Sequence, residues 1–137
     1  MTSFESALDA VNLGMAVLIW LVQIVIYPSF RHCDERGFRS WHESYTGRIT
    51  FVVAPLMFAQ LGLVAYITLQ EGRLLDIAAL TSCLVAWIAT FAFSVPCHSA
   101  LQARGRDLEI VERLIRTNWI RTAAWTAVLV LGLARSI

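Results

Sequence analysis

The sequence predicts an all-α fold, an integral membrane bundle of four antiparallel helices with the second and fourth extended into the cytoplasm. Three observations carry that expectation. Of 137 residues, 58% are hydrophobic and only 15% charged, and the mean hydropathy is +0.64; a soluble domain of this size carries more charge. The apolar residues gather into four runs, at about 10–27, 49–69, 77–95 and 119–134, each close to the roughly 20 residues that cross a hydrocarbon core. The basic residues, finally, fall on one side. There is no lysine. If all four runs span, the loops 28–48 and 96–118 share a side that holds Arg31, Arg36, Arg39, Arg48, Arg104, Arg106, Arg113 and Arg116, with Arg121 just inside the bilayer. Only Arg73 and Arg135 lie opposite. The excess of arginine places those loops in the cytoplasm and both termini outside, in a bacterial-type inner membrane.

Residues 1–137 read as a single domain, since short connections leave no room for a second. The net charge of +1 is spread over arginines interleaved with Asp34, Glu35, Asp107, Glu109 and Glu112, which excludes a nucleic-acid surface. The partners expected are the bilayer, a lipophilic small molecule and a second copy of the chain as a homo-oligomer. The leader of the first run contains Glu5 and Asp9 and no basic segment, so it is not read as a signal peptide.

In the first helix Ala16, Trp20, Gln23 and Tyr27 share a stripe, and Pro28 is expected to end it. Gln23 is an amide in a span, where such groups usually bond to another helix. His32-Cys33-Asp34 reads as a solvated loop, because adjacent residues seldom converge on one ion and no CxxC or HxxxH spacing completes a set. Ser40 with Glu43 fits a capping box at the start of the second helix. On that helix His42, Tyr45 and Arg48 share a face, Pro55 predicts a kink, and Gln60 is a second mid-span amide. The short Gln70–Arg73 turn pairs the second and third helices as a hairpin.

The third helix carries Trp87, Thr90 or Phe91, Ser94 and His98 on one stripe, closed by Pro96. Cys33, Cys83 and Cys97 are an odd number with none expected outside, which argues against structural disulfides. Asp107 is the natural N-cap of the fourth helix, and Glu109–Arg113 and Glu112–Arg116 are spaced as i, i+4 pairs. Asn118, Arg121, Thr122 and Trp125 then fall on one face. A guanidinium and an amide at the head of an apolar run are costly in lipid, so this face should look into the bundle.

The polar and aromatic members of all four stripes favour the cytoplasmic half. They predict a pocket there, with His42, His98 and Arg121 as the chemical groups. Trp20, Gln23, Tyr27, Tyr45, Arg48, Ser94, Asn118 and Trp125 are its ligand-binding lining, and no metal is assigned to it. Histidine moves protons near neutral pH and arginine holds an anionic oxygen. Acid–base or oxidative chemistry on a lipophilic ring compound is one reading. Binding without chemistry, as an accessory subunit, is a second. Haem or metal ligation through His42 and His98 is a third. A transporter is disfavoured for want of an internal repeat.

Tyr27-Pro28, the proline of the second helix and the late Asn118-Trp119-Ile120-Arg121-Thr122 resemble the small four-helix membrane proteins grouped with the fungal anthrone oxygenases. His42, Tyr45, Arg48 and Pro96-Cys97-His98 are similar to a subgroup of bacterial membrane proteins within that group. The resemblance covers most of the chain and implies cofactor-independent, oxygenase-like chemistry.

Overall fold

The computed structural model describes Thr2–Ile137, and every regular element among these residues is helical. Four long helices account for nearly all of them: α1 (Ser3–His32), α2 (Phe38–Glu71), α3 (Leu74–Arg104) and α4 (Leu108–Arg135). α1, α2 and α3 are long and apolar enough to cross a membrane. α4 is not among them, since its apolar stretch opens on Asn118 and Arg121. The helices form a bundle in which α1 packs on α2 and α4, and α3 packs on α4 and α2. The α3–α4 contact is the most extensive, and α2 and α3 leave space between them.

Local chemistry sets the helix ends. Thr2 caps α1 through a reciprocal pair: its hydroxyl accepts from the Glu5 amide at 3.2 Å, and its own amide donates to the Glu5 carboxylate at 2.6 Å. The box expected at Ser40 does not form. α2 begins earlier, after Gly37, with no side-chain cap. Phe38 is fully buried, edge-on to Phe30 and stacked on His42, and this packing draws the chain into helix before Ser40. α2 ends at Gly72, whose φ of 61° is the left-handed cap that glycine adopts freely.

Asp107 caps α4 as expected, accepting from the amides of Glu109 and Ile110. Glu112, however, pairs across the bundle rather than along its own helix. Arg31 grips both its oxygens, at 2.5 and 2.8 Å, and the guanidinium holds the Glu112 carboxyl below the usual carboxylate range. Arg106 adds bonds to the Arg31 carbonyl and to Glu35, so the two polar connections are tied together.

Pro28 does not end α1. The helix widens instead into a π turn over Val22–Ile26, with the Tyr27 amide donating to the Val22 carbonyl, and continues to His32. α3 repeats the device: a π turn over Thr90–Ser94, the Val95 amide on the Thr90 carbonyl, then Pro96. A π turn sets the preceding carbonyls at a different offset from the proline ring, so the chain stays helical where proline would otherwise break it. Pro28 and Pro96, and Gly37 and Gly105, stand at the same separation in sequence. The two π turns recur at that same separation, so α1 and α3 share one backbone device at corresponding places. α2 runs unbroken through Pro55.

Gly105 takes φ 84° and ψ −163°, a region essentially closed to L side chains. Gly105→Ala should therefore cost about 1–3 kcal/mol, seen as a lowered midpoint of thermal unfolding in detergent. Gly37→Ala, at a φ of −96° with open space around it, should be close to neutral.

Candidate functional site

A cavity of about 440 Å³ lies between α2 and α3. Its outer walls are apolar: Val53, Met57 and Phe58 from α2, and Trp87, Phe91 and Val95 from α3. Phe58 and Phe91 are largely exposed, so the cavity opens on the flank of the bundle. Its inner end is polar and draws on all four helices, through Tyr27, His42, Ser94, His98 and Arg121.

These side chains form one connected series. Gln102 Oε1 lies 2.8 Å from His42 Nδ1, and His42 Nε2 lies 2.9 Å from His98 Nδ1. His98 Nε2 then meets the Tyr27 hydroxyl at 3.0 Å. The Tyr27 oxygen accepts from Arg121 Nη1 at 3.4 Å, and the same nitrogen donates to Ser94 Oγ at 3.0 Å and Asn118 Oδ1 at 3.1 Å. The two imidazoles stack at 5.2 Å under Phe30, itself wholly buried. The π turns set this geometry. One ends against Tyr27, and the other contains Ser94 and precedes His98 by one helical turn.

Behind the cavity wall sits a second row. Gln23 Oε1 accepts from Asn118 Nδ2 and from the Thr122 hydroxyl, both at 2.9 Å, while its Nε2 donates to the Ile115 carbonyl. This orients Asn118 so that its oxygen faces Arg121. The Trp125 ring lies under the guanidinium at 4.9 Å. Arg121 is buried with three neutral acceptors on one nitrogen, and its Nε has no partner.

Of the residues expected to line one pocket, the structure brings Tyr27, His42, Tyr45, Ser94, His98 and Arg121 to the cavity. Gln23, Asn118 and Trp125 support it from behind. Two expectations are corrected. Trp20 is on the outer surface, donating to Thr126 and edge-on to Trp119, because helical spacing turns it toward the α4 side of α1. Arg48 is exposed in a shallow groove with Trp41 and Ser44, one turn beyond Tyr45 but rotated off the inner face. The flat apolar walls come instead from Trp87, Phe58 and Phe91. Arg121 faces the bundle as expected and reaches Tyr27, Ser94 and Asn118.

Gln102 was missed. Its signal lay in the α3 stripe, since Ser94, His98 and Gln102 recur at i, i+4 and i+8. The third reading, haem or metal on His42 and His98, does not fit this arrangement: all four ring nitrogens already have hydrogen-bond partners. Nor, among the described residues, are three or more His, Cys, Asp or Glu side chains grouped as metal ligands.

No protein-family model, curated protein or solved structure matches this chain.

Gln23→Leu would remove the acceptor shared by the Asn118 amide and the Thr122 hydroxyl, leaving Asn118 Nδ2 only the Thr122 oxygen at 3.5 Å, at about 1–3 kcal/mol for an under-satisfied buried group. Unfolding of that variant in a denaturing-detergent titration should begin well before the parent, whereas Thr46→Val, on a half-exposed position of the cavity wall, should leave the midpoint in place.

Proposed function

We propose that this chain is an antiparallel four-helix membrane protein that binds a lipophilic ring compound in the α2–α3 cavity and carries out acid–base chemistry on it. The observation that supports this most strongly is the cavity itself. An apolar slot opens on the flank that a bilayer would cover and ends on an arginine, a tyrosine and two coupled histidines. A lipophilic molecule could enter sideways from the membrane, lie against the packed Phe58–Trp87 pair, and present an oxygen to Tyr27 and Arg121. Few apolar slots need a buried cation at their closed end unless negative charge develops there. The guanidinium stabilises that charge, and the tyrosine–histidine series moves the proton. Extraction of gently purified protein followed by mass spectrometry should yield a bound aromatic or quinone-like compound.

Tyr27→Phe and His98→Gln should remain folded and monodisperse yet retain at least tenfold less of it, while Trp20→Ala, on the outer surface, retains it fully. Wild-type protein that carries only structural lipid, or retention unchanged in both cavity variants, would overturn the reading.

In the membrane, the end of the bundle formed by 28–48 and 96–118 is cytoplasmic in this proposal, and both termini are external. A C-terminal alkaline phosphatase fusion should be active and a C-terminal fluorescent-protein fusion dark; the reverse pattern inverts the topology.

A further inference from the structure

We propose that Gln102 is the positioning residue that fixes the polarity of the tyrosine–histidine series, so that it carries protons from the Tyr27–Arg121 end of the cavity toward its half-exposed rim at Gln102. The deduction starts from a backbone carbonyl. Gln102 Nε2 faces the Arg39 carbonyl at 3.3 Å. A carbonyl only accepts, so the nitrogen of the amide must be on that side and its oxygen must face His42. His42 Nδ1 therefore carries the hydrogen and donates to Gln102 Oε1. In a neutral ring the other nitrogen is then an acceptor, so His42 Nε2 receives from His98 Nδ1.

By the same rule His98 Nε2 accepts, and the Tyr27 hydroxyl donates to it. The Tyr27 oxygen accepts from Arg121 and keeps a lone pair for a donor in the cavity. Each bond points the same way, from Tyr27 toward Gln102, a half-exposed residue on the rim of the same cavity. The partly buried Tyr45 ring and the exposed Glu43 also border the cavity, but neither makes a side-chain hydrogen bond to this series.

The polarity names the kind of ligand this site handles, a step that rests on the function proposed above. A hydroxyl in the cavity gives its proton to the Tyr27 oxygen while Tyr27 passes its own to His98 Nε2. His98 hands its Nδ1 proton to His42 Nε2, and His42 releases its Nδ1 proton to water at the Gln102 edge. One proton has left, both rings have exchanged tautomers and remain neutral, and the new oxyanion faces the Arg121 guanidinium. Reprotonation from the same edge runs the series back. The ligand thus enters as a proton donor and is held as an anion. With the opposite tautomers the series would instead aim a proton at the Tyr27–Arg121 end.

The test reads the tautomers directly and needs no ligand. The chain has three histidines, and His32→Gln, at an exposed position away from the site, leaves the two of interest. Ring nitrogen NMR of histidine-labelled protein in lipid nanodiscs should find both neutral and protonated at Nδ1. Gln102→Leu, which removes the acceptor, should shift His42 toward the Nε2–H form, and Gln102→Glu, which keeps an acceptor oxygen, should restore Nδ1–H. A wild-type His42 that is Nε2-protonated or an imidazolium overturns the proposal, as does a Gln102→Leu protein that keeps Nδ1–H on both rings. Failure of the pocket to hold any compound would overturn the functional reading and leave the tautomer result standing.

Discussion

The buried guanidinium of Arg121 is the constraint around which the rest of the bundle is arranged. Burying a cation without a counter-charge costs several kcal/mol, and none of the ion pairs among the described residues involves Arg121. The bundle answers with neutral oxygens from three helices, from Tyr27 on α1, Ser94 on α3 and Asn118 on α4, and with the face of Trp125. Each of these is held in turn. Gln23 orients Asn118, His98 takes the tyrosine hydrogen, and the π turn carries Ser94. Dipoles solvate the charge but do not neutralise it, so the site retains an attraction for an anion that a carboxylate partner would have cancelled.

The opposite end of the molecule shows what cancellation looks like. Arg135, whose side chain alone is buried, lies 3.6 Å from Asp76 and 3.8 Å from Glu5. There three helices contribute to one compensated cluster, and Gly132 allows the close approach, since a Cβ would come within 3.0 Å of Asn12. A compensated cluster holds helix ends together. The uncompensated arginine stands instead at the inner end of an open cavity.

The general plan was legible because it rests on periodicity and composition. The apolar runs, the Asp107 cap and the inward face of Asn118, Arg121 and Trp125 follow from helical spacing and the cost of burying charge. What escaped the sequence was decided by tertiary contact. Ser40 looked like a cap until Phe38 packed beneath Phe30, and Glu112 had a local partner in Arg116 until Arg31 reached it from another connection. The prolines misled for a different reason: each removes one amide hydrogen bond, and a sequence does not reveal that a π turn will absorb the loss. Trp20 and Arg48 shared a helical stripe with true cavity residues, yet a stripe is wider than the surface a cavity exposes. Gln102 sat on the right stripe but beyond the apolar run, where a polar residue attracts no notice.

The two π turns share a backbone device but not the side chains it places. In each hairpin the first helix widens, passes a proline and stays helical, but the residues delivered at that point differ. In α1 the residue before the proline is Tyr27, whereas in α3 it is Val95, with His98 two residues past Pro96. One backbone device, used twice, therefore places a hydroxyl on one side and an imidazole on the other, 3.0 Å apart. The second half of each hairpin diverges likewise, α2 supplying His42 and α4 supplying Arg121. Side chains of different chemistry on two similarly distorted hairpins yield a directional series, with a cation at one end and an amide oxygen at the other. Identical side chains in both halves would have made the arrangement symmetric, and a symmetric series has no preferred direction for a proton.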